Sequence, residues 1–123
     1  MPILCIDLGS KKTGVAISYD PFVVAESLPT IFHSSEKELL NILLNIIDSK
    51  KVSKIIFGLP LGPKGAISKQ SENVKRFANL IDRDIEKIFI DESLTSKIGE
   101  KYNSEDVDSV AAKLILQEYL SEI

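Results

Sequence analysis

This chain has one cysteine, Cys5, and one histidine, His33. A lone cysteine excludes an intramolecular disulfide and, with no second Cys or His, a thiolate or imidazole metal cluster. Cys5 sits in an apolar run and reads as a buried, inert thiol. His33, between a strand and a helix cap, reads as an ordinary loop histidine. No apolar run approaches the roughly 20 residues that a bilayer span needs, and no basic segment precedes the first strand pattern. A cytosolic protein without a membrane partner is expected. The formal net charge of -3 lacks the basic excess of a DNA-coating protein. A nuclease whose carboxylates are offset by metal ions remains compatible with it. Low-complexity tracts are also missing. With 44% hydrophobic residues over a length of 123, whole-chain disorder is excluded and one domain spanning 1–123 is expected.

What is present is a regular alternation of short apolar runs and helical patterns. Residues 2–8 and 13–19 are β-rich runs joined by Gly9-Ser10-Lys11-Lys12, a hairpin spacing. Asp20-Pro21 makes a turn, and 22–32 read as a third strand in which Pro29 argues for an edge position or a strand end. Ser35 with Glu38 forms a capping box ahead of apolar residues on helical spacing from Leu39 to Ile47. Residues 54–60 read as a buried parallel strand, 68–83 as an amphipathic helix and 86–91 as another buried strand. A last helix runs from about Ser104, its N-cap, to Leu120. The order β-β-β-α-β-α-β-α predicts an α/β fold: a mixed five-stranded sheet, an antiparallel three-strand meander followed by parallel strands, flanked by helices.

Three acidic sites stand out. In "ILCIDLG" the alternation puts Ile3, Cys5 and Asp7 on one face, so Asp7 brings a charge to the end of an apolar strand, which is costly unless a cation or hydrogen-bond donors compensate it. The turn at Gly9-Ser10 is one source of such donors. In "FIDESLTS", Asp91 and Glu92 end the last strand, and only one of them can share the face of Asp7. In "SEDVDSVAAKLIL", Asp108 heads a stripe with Ala111, Ala112 and Ile115, small enough to approach a sheet closely. Asp106 is the ordinary first-turn acid that offsets a helix dipole. Converging carboxylates of this kind suit Mg²⁺ or Mn²⁺, and two such ions support phosphodiester hydrolysis without a nucleophilic side chain. Lys11, Lys12, Lys64 and Lys69, in or near loops, are candidates for contact with phosphates, or else solvated surface.

The stretches "ILCIDLGSKKTGVAIS", "IIFGLPLGPKG", "DESLTS" and "VDSVAAKLILQEYL", in this order, resemble the YqgF/RuvX family of Holliday junction resolvase-like nucleases, also described as maturing the precursor of small-subunit ribosomal RNA. The resemblance covers nearly the whole chain. It implies an RNase H-like fold, a metal-dependent endonuclease, and a catalytic and metal-binding role for Asp7, Asp91/Glu92 and Asp108. It also implies that the 58–65 loop borders the substrate groove and that Lys11 and Lys12 occupy basic positions. Two departures remove positive charge. Ser93 stands where the family usually has arginine, and the short "KIGEKYNSED" replaces a longer lysine-rich segment.

The leading expectation is therefore a Mg²⁺- or Mn²⁺-dependent nuclease acting on structured RNA, the 16S precursor first, with branched DNA as a second substrate. It would be cytoplasmic, ribosome-associated, and a monomer or homodimer. One alternative is a non-catalytic ribosome-associated or scaffold module of the same fold. Another is an ATP-binding domain, because "DLGSKKTGVAI" also resembles the phosphate hairpin of actin and sugar-kinase ATPases.

Overall fold

A computed structural model describes residues 1–22, 24–59, 69–91 and 107–122, with the backbone alone at 69, 91 and 107–109. Strand β1 (Ile3–Asp7) is the centre of a five-stranded sheet. Antiparallel to it runs β2 (Lys12–Ser18), and β3 (Glu26–Phe32) follows antiparallel at the edge. On the other side lie β4 (Lys54–Leu59) and β5 (Glu86–Asp91), both parallel to β1, giving the order β3-β2-β1-β4-β5. Pro29 is accommodated as its missing N–H requires: it lies in the edge strand, where the β2–β3 register slips between Thr13 and Val15. The third strand begins at Glu26 rather than residue 22, because Phe22 takes a left-handed φ of 61° to close the turn whose N–H reaches the Tyr19 carbonyl at 2.7 Å.

Helix α1 (Glu36–Lys50) starts where the capping pattern predicts: Ser35 is extended and its hydroxyl accepts the Glu38 N–H at 3.1 Å. The Glu38 carboxylate accepts the Ser34 hydroxyl at 3.0 Å. Helix α2 (Lys69–Leu80) stops short of residue 83. Ile81 is buried just beyond its end, so the apolar periodicity carries past the last helical turn, and Lys87 donates to the Ile81 carbonyl at 2.8 Å. Helix α3 (Val107–Ser121) closes the chain; the predicted N-cap, Ser104, lies outside the described residues.

The sheet separates two cores. On one face α1 and α2 bury Leu39, Leu43, Ile47, Val74 and Phe77 against Leu4, Ile6, Val15, Ile55 and Phe57. On the other, α3 brings Ala112, Ile115, Leu116 and Leu120 onto Ile3, Cys5, Ala16, Ala25 and Ile56. Cys5 is fully buried there, in line with the inert thiol expected. No helix among the described residues is long and apolar enough to cross a membrane.

Candidate functional site

The site begins with the strand alternation of β1. Ile3 and Cys5 belong to the α3 core, and Asp7, two residues on, keeps their parity at the carboxyl end of the strand, half-buried. Immediately beyond, Gly9 closes the β1–β2 loop so tightly that a Cβ at this position would stand 2.0 Å from the Lys12 carbonyl oxygen. Only glycine fits here, and the loop therefore holds the end of β1 in one place.

The direction of α3 decides what meets Asp7. Near its C-terminus, the Tyr119 hydroxyl accepts from the Lys54 ammonium at 2.9 Å, and Lys54 pairs with Ile3 at the opposite end of the sheet from Asp7. This hydrogen bond is the foremost cause that raises the Lys54 pKa, with Glu86 adding at 3.6 Å. A second tie, from the Ala25 N–H to the Gln117 side chain at 3.0 Å, holds the same end of the helix. The helix is thus antiparallel to β1. From Tyr119 back to position 108 it rises about 16 Å, and from Ile3 to Asp7 the strand covers about 13 Å. Position 108 is therefore carried to the Asp7 end of the sheet. It stands four and seven residues before Ala112 and Ile115, both fully buried against the sheet face that Asp7 shares.

At β5 the register separates the two acids that end the strand. Ile88 and Ile90 pack in the α3 core, whereas Phe89 packs in the α1/α2 core and stacks on Phe57 at 5.5 Å. Asp91 pairs with Leu59 and has the parity of Phe89, so its position falls on the face opposite Asp7. Glu92 lies outside the described residues. Because β1, β4 and β5 are parallel, positions 7 and 91 end at the same edge of the sheet, two strand spacings or about 10 Å apart. Among the described residues no three acidic, His or Cys side chains form a metal-binding group. Lys11 is exposed in the β1–β2 loop and Lys12 at the start of β2; Lys69 opens α2, and Lys64 lies outside the described residues.

On the other face, at this same end, is a feature the sequence did not reveal. A cleft of about 350 Å³ is walled by Leu8, Gly9 and Ser10 of the loop, His33 and Glu36 before and within α1, and Gln70 and Asn73 of α2, over a floor of Leu39, Val74 and Phe77. His33 is not a loop residue in solvent: it is 8% exposed, and its Nε2 lies 2.9 Å from the Thr13 hydroxyl, itself fully buried. The signal for this was parity, since His33 continues the alternation of the buried Ile31. Its Nδ1 is enclosed with no hydrogen-bond partner among the described residues, at a cost of order 1–3 kcal/mol. At the rim the Arg76 guanidinium clamps Glu36 through two bonds of 2.6 and 2.9 Å and holds its carboxyl below the usual range.

These features can be set beside known proteins. The family model described as "RuvX: Holliday junction resolvase" matches residues 1–122. A Sulfurihydrogenibium protein described as "Putative pre-16S rRNA nuclease" is 38% identical over 98% of this chain and 90% of its own length. A Rickettsia rickettsii protein of the same description is 36% identical over 99% and 87%. Among solved structures, Thermus thermophilus RuvC in complex with a Holliday junction superposes with a TM-score of 0.63 at 11% identity, covering 99% of this chain and 94% of that one. The fowlpox virus resolvase bound to junction DNA gives 0.57 at 16% identity, over 98% and 99%. At these identities the structures establish the shared RNase H-like fold, and the family match with the close relatives establishes more: this chain belongs to the RuvX family of Holliday junction resolvase-type nucleases.

Proposed function

We propose that residues 1–123 form one RNase H-like nuclease domain that hydrolyses phosphodiester bonds in structured RNA, with the precursor of 16S ribosomal RNA as its substrate and branched DNA as a second one. The observation that carries the site is the antiparallel course of α3, fixed by Lys54–Tyr119, which brings position 108 to the end of β1 where Asp7 ends the apolar strand. Full-length relatives described as pre-16S rRNA nucleases support the substrate. A cytoplasmic enzyme acting during ribosome assembly fits that substrate.

The donor set fits a hard divalent cation. Asp7, Asp108 and one acid of the β5 end offer carboxylate oxygens only, as Mg²⁺ and Mn²⁺ prefer. The third oxygen donor would come from the acids that end β5; position 91 takes the register of Phe89, on the face opposite Asp7, and Glu92 lies outside the described residues. A bound divalent cation supplies Lewis acidity, activating water for attack and offsetting charge on the leaving oxygen. The carboxylates would hold it, and the sheet end supplies a rigid base for them. Lys11 and Lys12, both exposed, with Lys64 and Lys69, meet neighbouring phosphates.

The test is cleavage of end-labelled precursor ribosomal RNA and of a four-way DNA junction, with Mn²⁺, Mg²⁺ or chelator. Wild type is expected to cut only with metal, and Asp7→Asn and Asp108→Asn each to lower the rate by about 10²-fold or more. Cutting that survives chelator or both substitutions sinks the metal site. No cutting of either substrate by the wild type favours a binding module of the same fold.

A further inference from the structure

Among the described residues the exposed large hydrophobic side chains are Met1, Tyr19, Val24, Phe32 and Leu80. Four of these stand at the end of the sheet away from Asp7. Met1 precedes β1, Tyr19 follows β2, Val24 precedes β3, and Leu80 closes α2, whose first turns carry Gln70 and Asn73 to the cleft beside Leu8. Phe32 is at the other end, next to the start of β2, and it is 68% exposed. A lone apolar residue on a surface needs no explanation by itself. The position of this one gives it a use.

The sheet register fixes its face. Asp7 pairs with Gly14, Gly14 shares a face of β2 with Lys12, and Lys12 pairs with Phe32, so Asp7, Lys12 and Phe32 lie on one face. Ile31, the residue before Phe32, is accordingly buried in the α1/α2 core on the opposite side. The His33 N–H reaches the Lys11 carbonyl at 3.0 Å, which makes Lys12 and Phe32 the non-hydrogen-bonded kind of antiparallel pair. In such pairs the Cα atoms approach to about 4.5 Å and the side chains stand closest. An exposed ring is thus held beside an exposed lysine, on the edge strand of the sheet. Asp7 and Phe32 are two strand spacings and two residues apart, about 12 Å.

An aromatic ring next to a cation suits unpaired nucleic acid, because the ring takes the face of a base while the cation takes a phosphate. We propose that Phe32 is the stacking platform for one unpaired base of the RNA substrate, with Lys12 on an adjoining phosphate. Phe32 carries no hydrogen-bonding group, so stacking accepts any base. What it selects is the pairing state. Bases within a duplex are covered by their neighbours, and only a splayed-out base can lie on the ring. The inference rests on the nuclease reading and narrows its substrate to RNA with an unpaired nucleotide near the cut. A second copy of the chain is a poorer occupant, since Pro29 removes an N–H from this edge strand and Lys11 and Lys12 beside the ring favour a polyanion.

The test is run in chelator with the full chain, on a paired hairpin RNA and on the same hairpin with one bulged 5-iodouridine, which irradiation joins to an aromatic ring stacked on it. Wild type should bind the bulged RNA more tightly and crosslink to it at Phe32, located by mass spectrometry. Phe32→Ala, and Phe32→Leu, which keeps apolar bulk without the ring, should each weaken the bulged complex about tenfold and leave the paired one unchanged. Phe32→Tyr should restore affinity and crosslink, and Lys12→Gln should weaken both complexes alike. An equal loss on the paired hairpin overturns the proposal, as does a crosslink at another residue. A wild-type dimer that Phe32→Leu dissociates in sedimentation assigns the ring to a second copy and overturns it too. Wild type that binds neither RNA removes the nuclease reading and this inference together, whereas tight binding of the bulged RNA that survives loss of the ring removes the inference alone.

Discussion

The two faces of the sheet are packed by different rules. The α1/α2 face is filled with large side chains, Leu39, Leu43, Ile47, Phe57 and Phe77 among them; at the surface Arg76–Glu36 ties α2 to α1, and Arg83, just beyond α2, ties to Asp48 of α1. The α3 face relies on Ala16, Ala25, Cys5 and Ala112 beside Ile115 and Leu116. Large residues hold two layers apart and bury much apolar area. Small ones let a helix lie close on the strands that it crosses. The close-packed face is the one that Asp7 shares, so the face with the smaller side chains is the one on which the proposed acidic site would lie.

Three measurements test this division. The largest effect on stability is expected on the first face: Leu43→Ala, in a fully buried position, should cost about 2–5 kcal/mol by urea unfolding. A loss below about 1 kcal/mol would mean the α1/α2 layer is not the main store of stability. Next comes Ala112→Leu on the second face. It overpacks a fully buried position and should cost about 1–3 kcal/mol. It should also lower cleavage by tenfold or more although no acid is changed, because α3 must lift and carry position 108 with it. Unchanged cleavage in a folded protein would uncouple the helix seat from the site. The smallest effect belongs to the surface pairs. Glu36 and Asp48 are both held below their ordinary pKa by their arginines, so what the pairs contribute is present above the unfolded carboxylate values and is lost as pH falls through and below about 4. Arg76→Gln with Arg83→Gln should therefore lower the melting temperature slightly at pH 7 and not at pH 3. Salt should shrink the difference.

Local chemistry was legible wherever a residue acts on its own neighbours. Ser35 caps α1 through a bond three residues long, Pro29 finds the edge because it lacks a donor, and the alternation of β1 places Asp7. Legibility failed where a distant element supplies the partner. His33 looked like a loop residue because the Thr13 hydroxyl that receives it is 20 positions away. The Asp91 and Glu92 pair stayed ambiguous because strand parity has meaning only once Phe89 is known to face α1 and α2 and Ile90 to face α3.

The sequence by itself determined the inventory: which segments are strands and helices, their order, the acids at their ends, and a resemblance strong enough to predict the family. These follow from periodicity, caps and turns, which are set within a few residues. Tertiary structure alone decided the direction of α3, the face assigned to each β5 residue, and the existence of a cleft back to back with Asp7. Each depends on contacts between parts of the chain far apart in sequence, such as Lys54 with Tyr119 or Thr13 with His33, and no local pattern encodes which distant partner will come to meet a residue.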